Sequence, residues 1–599
     1  MAKSKKSTSG EAENSQASQS AATGAILILA GEPVVKSPLS HRVKQWLHPF
    51  ATLSLEDFPG VYRPLPDLVD DRQRQTSVAS AKDGSEKDSD SDDMSQAGHE
   101  AGVCTFASLK ADVEMKLAES KNQSSFDQKA TVINLAIQDI GMGYYQWAMF
   151  VLCGCGWMAD NLWLQSVALV LPSLGTEFGK SETNVRYTTL ALFTGLTIGA
   201  SFWGIASDII GRRLAFNTTL LLTFVFALGL GVGGNLPVDG ALFLEFLPTS
   251  HNWLLTLLSA WWPVGTLIAS LVAWPLLVNF ECAATLPSCS MVAEGVECCS
   301  RSSNYGWRYF VIAMSALTFI MFVARSFCFQ MFESPKFLLS RGRQAEAVAV
   351  VHGIAYKNGK TTWLTEDVLN KIGGVPDTQS SEKLPLKEII RRSLSKFSAQ
   401  SFKPLFANRK MAISTVIIWF LWTSIGMGYP LFNAFLPQYL GGGGDVSPNI
   451  TYRNYAITSI VGVPGSIIAA FAVRIPGFGR KGTMALTTLI TGVFLFCFTI
   501  KKDPNYQLGF SCMEALFQNV AYGVLYAYTP EVFPSPCRGT ASGVSSMLNR
   551  IAGLCAPIVA INAGDVNPAA PIYASGALFF AAGIAMIGLP FETNGRQTL

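Results

Sequence analysis

The chain has 599 residues, a formal net charge of +3 and only 15% charged residues, which are scarcest after residue 145. Soluble domains carry about 25% charged residues, so the composition indicates a polytopic membrane protein. The small net charge gives no reason to expect a nucleic-acid partner. The sequence offers no catalytic constellation, metal-ligand motif or nucleotide-binding loop, so we expect a non-enzyme that needs no metal or cofactor.

The first 145 residues are predicted to be a cytoplasmic N-terminal tail that is largely disordered. Residues 83–93 form an acidic, Ser-rich run that cannot bury enough apolar surface to fold. Residues 127–141 place Ile133, Ala136, Ile137 and Ile140 at helical spacing. This pattern predicts a short amphipathic helix on the membrane surface.

Hydrophobic stretches of about 20 residues follow, which is the length that a membrane-spanning helix needs. They are predicted at 147–172, 187–210, 253–280, 307–331, 411–437, 455–473, 483–500, 509–529, 541–561 and 571–590. A long Lys- and Arg-rich stretch divides them into two sets. We therefore predict a transmembrane half over 146–332, a cytoplasmic loop over 333–410, a second half over 411–590 and a cytoplasmic tail over 591–599.

Basic loops predict which ends of the spans face the cytoplasm. The pairs Arg212-Arg213 and Arg480-Lys481 and the stretch 333–410 fall on one side. The sequon Asn449-Ile-Thr451 falls on the other side, as does a cluster of four cysteines, Cys282, Cys289, Cys298 and Cys299. The sequon predicts glycosylation at Asn449. The cysteines are either disulfide-bonded or free thiols in a surface loop. The default location is the plasma membrane, with another membrane of the secretory pathway as the alternative.

Residues 214–248 are too few for the two spans expected there. Two spans and a turn need about 45 residues at 1.5 Å per residue. A single crossing would instead send the basic 333–410 stretch to the outside. Either the region is bent or re-entrant, or a stretch of about 25 residues is missing, and the arithmetic favours the missing stretch. The total is eleven spans or a distorted twelve.

Several short motifs lie at the ends of the predicted spans. They are Gly204…Asp208…Gly211-Arg212-Arg213, Glu333-Ser-Pro-Lys336, Gly479-Arg480-Lys481, Glu531-Val-Phe-Pro534 with Arg538, and Phe591-Glu592-Thr593. Together they resemble motifs of the major facilitator superfamily over roughly residues 140–595. The resemblance implies an all-α fold of two pseudo-symmetric six-helix halves around a central cavity. It also implies that these charged residues form a gating network rather than contact the substrate. Pro476 stands where the second half should carry an acid, which speaks against a symmetric ion-pair latch.

The resemblance also narrows the expected substrate. Residues 423–433 lack the paired glutamines that sugar porters carry in span seven. Residues 156–160 and 233–248 are more similar to synaptic vesicle glycoprotein relatives and nicotinate permeases. This branch implies a small organic ion or acid as the cargo. Gly229, Gly231, Gly233 and Gly234 follow a membrane-length apolar run, so they are predicted to be helix-packing sites.

Ionisable residues within spans are few, and Asp160 lies midway along the first span. We predict that it is the acid that couples transport to protons, the alternative being a structural hydrogen bond. Arg325 and Arg550 are interpreted as snorkelling or as part of the gating network. Uncharged candidates for the cavity are Asn161, Gln165, Asn433, Gln518, Asn519 and Tyr522, each of which is equally a candidate for a helix–helix bond.

We therefore predict a secondary active transporter of a small organic solute, with a proton as co-substrate, that works by alternating access within the lipid bilayer. One alternative is a sugar transporter. Another is a non-transporting receptor or scaffold that retains the fold, which the shortened region and the long tail motivate.

Overall fold

The computed structural model divides the chain into two compact units. It describes residues 53–67, 105–118, 125–225, 228–251, 253–283, 286–293, 296–374, 403–441, 446–473, 475, 479–533 and 535–592. The larger unit contains residues 142–337 and the described residues from 403 onwards. The smaller unit contains the described parts of 53–141 and 338–374. The acidic run 83–93 lies outside the described residues.

The larger unit is built from twelve main helices. In chain order they are α1 (Tyr144–Phe178), α2 (Tyr187–Ile210), α3 (Arg212–Val225), α4 (Leu228–Phe246), α5 (Trp261–Asn279), α6 (Gly306–Val323), α7 (Arg409–Asn433), α8 (Pro448–Ala472), α9 (Gly479–Phe498), α10 (Pro504–Val532), α11 (Ser535–Val566) and α12 (Ala570–Ile587). Short helices Glu182–Val185, Trp253–Leu258 and Leu436–Gly441 join the unit at helix ends, and α6 continues through one π turn, Ala324–Cys328. The predicted all-α fold is confirmed, since the described residues form only two isolated β-bridges besides helices.

Seven helical stretches of this unit are long and apolar enough to cross a membrane. They are Trp253–Asn279, Gly306–Cys328, Arg409–Gly441, Pro448–Ala472, Gly479–Phe498, Ala541–Gly564 and Ala570–Ile587. Helices α1–α6 form one half and α7–α12 the other. The halves meet where α2 packs on α11 and α5 packs on α8. This is the arrangement of two six-helix halves that the sequence predicts.

The shortened region folds as a helical hairpin. Helix α3 has 14 residues, or about 21 Å at 1.5 Å per residue, which is less than the roughly 30 Å of a hydrocarbon core. Helix α4 packs back along it, and a Cβ at Gly231 would overlap the backbone of Thr223. A Cβ at Gly195 of α2 would lie 2.7 Å from the Gly229 Cα. The prediction that these glycines are helix-packing sites is confirmed.

An ion pair fixes both ends of this hairpin on one side of the bundle. Arg212 at the start of α3 and Glu245 near the end of α4 pair at 2.9 Å between Nε and Oε1. The chain therefore turns back within 214–248, as the re-entrant alternative requires, and this turn is compatible with the predicted sides of the later loops. Whether the transcript encodes a further span here stays a prediction.

Two disulfides close the loop between α5 and α6. Cys282 pairs with Cys299 and Cys289 with Cys298, with Cα–Cα distances of 5.6 and 4.9 Å. Of the two alternatives for these cysteines, the structure therefore has the disulfide. The loop is anchored to the end of α1, where the Ser288 hydroxyl donates to the Glu177 carbonyl oxygen over 2.6 Å.

The smaller unit joins parts of the N-terminal segment to the loop after α6. Helix Ser125–Ile140 packs against helices Gln344–Lys357 and Glu366–Gly373. Farther upstream, the Thr362 amide donates to the Val61 carbonyl oxygen over 2.9 Å. The described parts of 1–145 are therefore folded, whereas the prediction of a largely disordered tail concerns mainly residues outside the described part. The folded parts share one core with residues that the prediction placed in a separate loop.

The same packing corrects the expectation of a membrane-surface helix. Val132, Ile133, Ala136, Ile137 and Ile140 form the apolar face of helix Ser125–Ile140 and are buried within the smaller unit. The neighbouring segments supply an apolar face of their own, which includes Val350, Ile354 and Leu369. Protein contacts cover the face that would otherwise bind lipid.

Candidate functional site

A cavity of about 750 Å³ lies between the two halves. We call the bundle end that carries Arg212, Glu333, Arg480 and Glu592 the motif end, and the end with the disulfide loop the loop end. The cavity wall includes Glu245 and Lys336 at the motif end and reaches Trp262 and Tyr429 deeper in the bundle. Its volume falls in the range of small-molecule binding sites.

Seven aromatic side chains line the cavity; one is Phe193, and the other six, all Trp or Tyr, dominate the wall. Their ring centroids form two connected groups: Trp262, Tyr429 and Tyr522 are 5.6–5.7 Å apart, and Tyr526 lies 4.9 Å from Trp422 and 5.3 Å from Trp157. Trp157 and Trp262 come from the first half and the other four from the second. A planar apolar molecule would find ring faces contributed by both halves.

One arginine, Arg550 of α11, lines the same cavity. Its guanidinium belongs to no ion pair within the described part of the chain, whereas the cavity acid Glu245 is paired with Arg212. The other charged wall residue is Lys336. The wall therefore combines aromatic surface with positive charge.

A polar network links the halves beside the aromatic wall. Asn161 Nδ2 donates to Thr266 Oγ1 over 2.6 Å and to the Trp262 carbonyl oxygen over 2.9 Å. Gln165 Nε2 donates to the Tyr429 hydroxyl over 2.9 Å, and Tyr455 donates to Gln165 Oε1. The network spans α1, α5, α7 and α8, so a change in the distance between the halves must rearrange it.

Asp160 is buried behind this wall, one helical turn from Trp157. Its side chain is 1% exposed, and Oδ1 accepts a hydrogen bond from Asn235 Nδ2 of α4 over 3.0 Å. Its Oδ2 has no hydrogen-bond partner among the described residues. A Coulombic attraction links it to Arg550 across the cavity wall. The Leu236 backbone also hydrogen-bonds to this carboxyl, but no described cation does, and a buried carboxyl in such surroundings is suited to hold a proton.

A buried ion pair lies deeper in the first half. Asp239 of α4 pairs with Arg325 of the π turn, and both side chains are fully inaccessible to solvent. The Arg325 guanidinium also lies over the Phe216 ring. A Cβ at Gly156 would overlap Asp239 Oδ2, so this glycine leaves the space for the pair. The interpretation of Arg325 as a snorkelling residue is wrong, because the side chain is buried in the core, and the alternative of a gating role stays a prediction.

The second half contains a buried polar cluster, and the described residues of this cluster include no cation. Gln518 Nε2 donates to Glu514 Oε1 over 2.5 Å, and Asn433 Nδ2 donates to Gln518 Oε1 over 3.1 Å. Asn519 instead donates to the Gly462 carbonyl oxygen of α8 over 3.2 Å. Asn519 therefore makes a helix–helix bond, whereas Asn433 belongs to the polar cluster.

At the motif end of the first half, Glu333 caps α3. The backbone N–H groups of Arg212 and Arg213 donate to its Oε1 over 3.0 and 3.3 Å. Gly211 adopts a φ of +104°, and a Cβ there would meet Glu333 Oε2. A carboxylate at a helix N-terminus is stabilised by these N–H groups and by the helix dipole. Burial raises the pKa of Glu333, and the hydrogen bonds from these N–H groups act in the opposite direction.

The second half has an equivalent carboxylate cap made of different residues. Glu592 accepts from the backbone N–H groups of Arg480 and Lys481, each over 3.0 Å, and so caps α9. Gly479 has a φ of +58° beside that carboxylate. Arg480 pairs with Glu531, as Arg212 pairs with Glu245. An ion pair therefore lies at the motif end of each half, contrary to the expectation drawn from Pro476, because Glu531 supplies the acid in the second half.

The structure brings the predicted gating residues together in two groups, one per half. Gly211, Arg212, Arg213 and Glu333 form the first, and Arg480, Glu531 and Glu592 the second. The side chains at Gly204, Asp208 and Arg538 lie outside the described part. Asn449 is exposed in the first turn of α8, and its side-chain oxygen accepts from Trp274 Nε1 over 2.8 Å.

Of the six predicted substrate or coupling residues, Tyr522 is in the cavity wall. Asp160, Asn161 and Gln165 lie behind it on α1. The prediction missed Arg550 and five of the six Trp and Tyr residues. An arginine within an apolar span is unusual, and this could have identified Arg550 as a cavity residue. The aromatic residues could not be identified in this way, because the sequence does not show which face of each helix points toward the cavity.

Known protein families and solved structures show the same architecture. The family model of the Major Facilitator Superfamily matches residues 147–557. A siderochrome iron transporter of Ceriporiopsis subvermispora is 42% identical over 496 residues, which cover 79% of this chain and 92% of the relative. The niacin transporter of Acinetobacter baylyi is 26% identical over 443 residues, covering 71% and 88%.

The fold also matches that of a solved transporter. The proton:xylose symporter XylE from E. coli superimposes with a TM-score of 0.52 at 17% identity, covering 76% of this chain and 98% of XylE. The fold and the cavity define a membrane transporter with two helical halves. The chain belongs to the Major Facilitator Superfamily, as the motifs predicted.

Proposed function

We propose that the chain is a proton-coupled transporter of a small aromatic carboxylate, of which nicotinate is a representative. The observation that carries this proposal is the cavity wall, in which Arg550 stands among six Trp and Tyr side chains. A guanidinium binds a carboxylate bidentately, and ring faces stack on a planar ring. The relative that is named a niacin transporter supports this substrate class.

Sugar transport fits this wall less well. Sugars need many hydrogen-bond partners, whereas most wall residues are aromatic or aliphatic. The amides Asn161 and Gln165 are already engaged with each other and with Tyr429. A non-transporting scaffold would not need a cavity that continues to the motif end. We therefore favour transport of an organic acid over both alternatives.

Asp160 is proposed to carry the proton. When a substrate carboxylate neutralises Arg550, the ionised form of Asp160 loses its attraction to a nearby positive charge. Proton binding to Asp160 then becomes more favourable. Binding of the anion and binding of the proton thus reinforce each other, which is what a symporter requires. Return of the empty carrier follows the release of both.

The test uses the full chain in proteoliposomes and counterflow of radiolabelled nicotinate. Arg550→Gln should raise the KM for nicotinate by about 10-fold or more, the effect of losing a hydrogen bond to a charged group. Arg301→Gln, an exposed loop arginine, is the matched control and should leave KM unchanged. Nicotinamide, which has the same ring without the carboxylate, should exchange poorly. Equal exchange of both compounds would contradict the proposed role of Arg550.

Asp160→Asn separates coupling from binding. This variant should retain nicotinate counterflow, because exchange needs no net proton movement. It should lose accumulation driven by a pH gradient. If the variant still accumulates nicotinate against its gradient, the coupling role of Asp160 is wrong.

A further inference from the structure

The loop end of the bundle is closed around one arginine. Arg186 lies between the short helix Glu182–Val185 and α2, and only 2% of its surface is exposed. Its Nε donates to Gln438 Oε1 over 3.1 Å and its Nη1 to the Ala560 carbonyl oxygen over 2.7 Å. Arg186 belongs to the first half, whereas both acceptors belong to the second.

The second half also surrounds the guanidinium with aromatic rings. The Arg186 Cζ lies 4.9 Å from the ring centroid of Phe435 and 5.7 Å from that of Tyr439. A Cβ at Gly564 of α11 would lie 2.5 Å from Arg186 Nη1, so this glycine leaves room for the side chain. The surface that receives Arg186 is therefore shaped from several elements of the opposite half.

The direct contacts of this buried charge are made across the boundary between the halves, and Glu182 of its own half adds only a Coulombic attraction. No ion pair of Arg186 is present within the described part of the chain. Dipoles and ring faces of the second half replace the water that the guanidinium has lost. When the halves separate at this end, all of these contacts break together. They therefore favour one conformational state over the other.

Other contacts between the halves at the loop end involve neutral donors. The Tyr452 hydroxyl donates to the Leu169 carbonyl oxygen over 3.2 Å, and Trp274 donates to Asn449. These are hydrogen bonds between neutral groups, and hydrogen bonds to an ionised donor are roughly twice as strong. Among these contacts between the halves, those of Arg186 have an ionised donor.

We propose that Arg186 is the latch that holds the loop end shut while the cavity is open at the motif end. It is a positioning residue, since it lies outside the cavity wall and acts through the equilibrium between the two open states. Each transport cycle must withdraw it from the Phe435 and Tyr439 rings. The inference requires alternating access but no particular substrate.

Hydrogen–deuterium exchange of the full chain in detergent micelles tests this role at both ends. Arg186→Gln should raise amide exchange about tenfold in Leu436–Gly441 and Glu182–Val185, which corresponds to losing a hydrogen bond to a charged group. It should also lower exchange in residues 541–550 of α11 at the motif end, because that end closes when the loop end opens. A purely structural residue would not produce the second change.

Arg308→Gln is the matched control. Arg308 is also at the loop end, but it pairs with Glu177 of its own half over 2.6 Å. Its loss should raise exchange locally without protecting residues 541–550. Arg186→Lys keeps the charge and should show the two-sided change in reduced form, which serves if the glutamine variant fails to fold. Increased exchange at the loop end alone, or equal profiles for the Arg186 and Arg308 variants, would overturn the proposal.

Discussion

Replacement of Asp239 by asparagine should destabilise the bundle more than loss of any exposed ion pair. Both partners of the Asp239–Arg325 pair are fully inaccessible to solvent. Within the described part of the chain, Asp239 is the hydrogen-bond partner of Arg325. Asp239→Asn leaves a buried, uncompensated guanidinium, and breaking such a pair costs about 3–5 kcal/mol.

The control is an exposed pair in the same chain. Lys110 and Glu114 lie 3.9 Å apart with side chains that are 60% and 69% exposed. Loss of this pair in Glu114→Gln should cost less than about 1 kcal/mol. A double variant, Asp239→Leu with Arg325→Met, replaces both charges by apolar groups and should recover part of the loss.

The assay is the thermal unfolding midpoint of the purified full chain in detergent, compared at one scan rate because unfolding of such proteins is often irreversible. We expect the midpoint to fall in the order wild type, Glu114→Gln, double variant, Asp239→Asn. The reasoning would be refuted if Asp239→Asn unfolded at the same temperature as Glu114→Gln. It would also fail if the double variant were less stable than Asp239→Asn.

Three further predictions concern regions outside the cavity. Burial raises the pKa of Glu281 to about 8, so the folded state keeps a proton that the unfolded chain loses above about pH 4.3. The free energy of unfolding should therefore fall as the pH rises from about 5 to 8. Glu281→Gln should flatten this pH dependence in thermal unfolding scans. Cys289→Ser with Cys298→Ser removes one loop disulfide, and the unfolding free energy should fall by about 2–4 kcal/mol; an unchanged midpoint would contradict this. The transcript across the codons for 205–255 should encode about 25 further apolar residues, because α3 is shorter than a full span; a transcript that matches this sequence would refute the inference.

The parts of the fold that the sequence predicted well are those set by local pattern. Apolar stretches of fixed length identify the spans, and basic residues identify their sides. The motifs after α2 and α6 also predicted a charged cluster; Glu333 accepts a hydrogen bond from the Arg212 backbone N–H, and the Arg212 side chain pairs with Glu245. The prediction of the spans succeeds because membrane thickness acts on each segment separately, whereas the sides of the loops stay a prediction.

The cavity depends on which helix faces meet, and the sequence pattern does not give that. Trp262 and Tyr429 come from different halves, yet their rings stack at 5.6 Å. Arg550 was interpreted as snorkelling or as part of the gating network, because it lies near the predicted cytoplasmic end of its span. The ion pair of the second half was not predicted for a related reason. The family pattern places its acid at position 476, where this chain has Pro, whereas the acid that pairs with Arg480 is Glu531, which lies far away in sequence.

Uphill transport in proteoliposomes tests the central claim most directly. Radiolabelled nicotinate is supplied at equal concentrations on both sides, and a pH gradient is the only driving force. If the chain is a proton-coupled carrier of aromatic acids, wild-type protein will concentrate nicotinate on the alkaline side, nicotinamide will stay at equilibrium, and a protonophore will abolish the accumulation. Nicotinate that equilibrates without accumulating, or accumulation that persists with the protonophore, would contradict a proton-coupled carrier of aromatic acids.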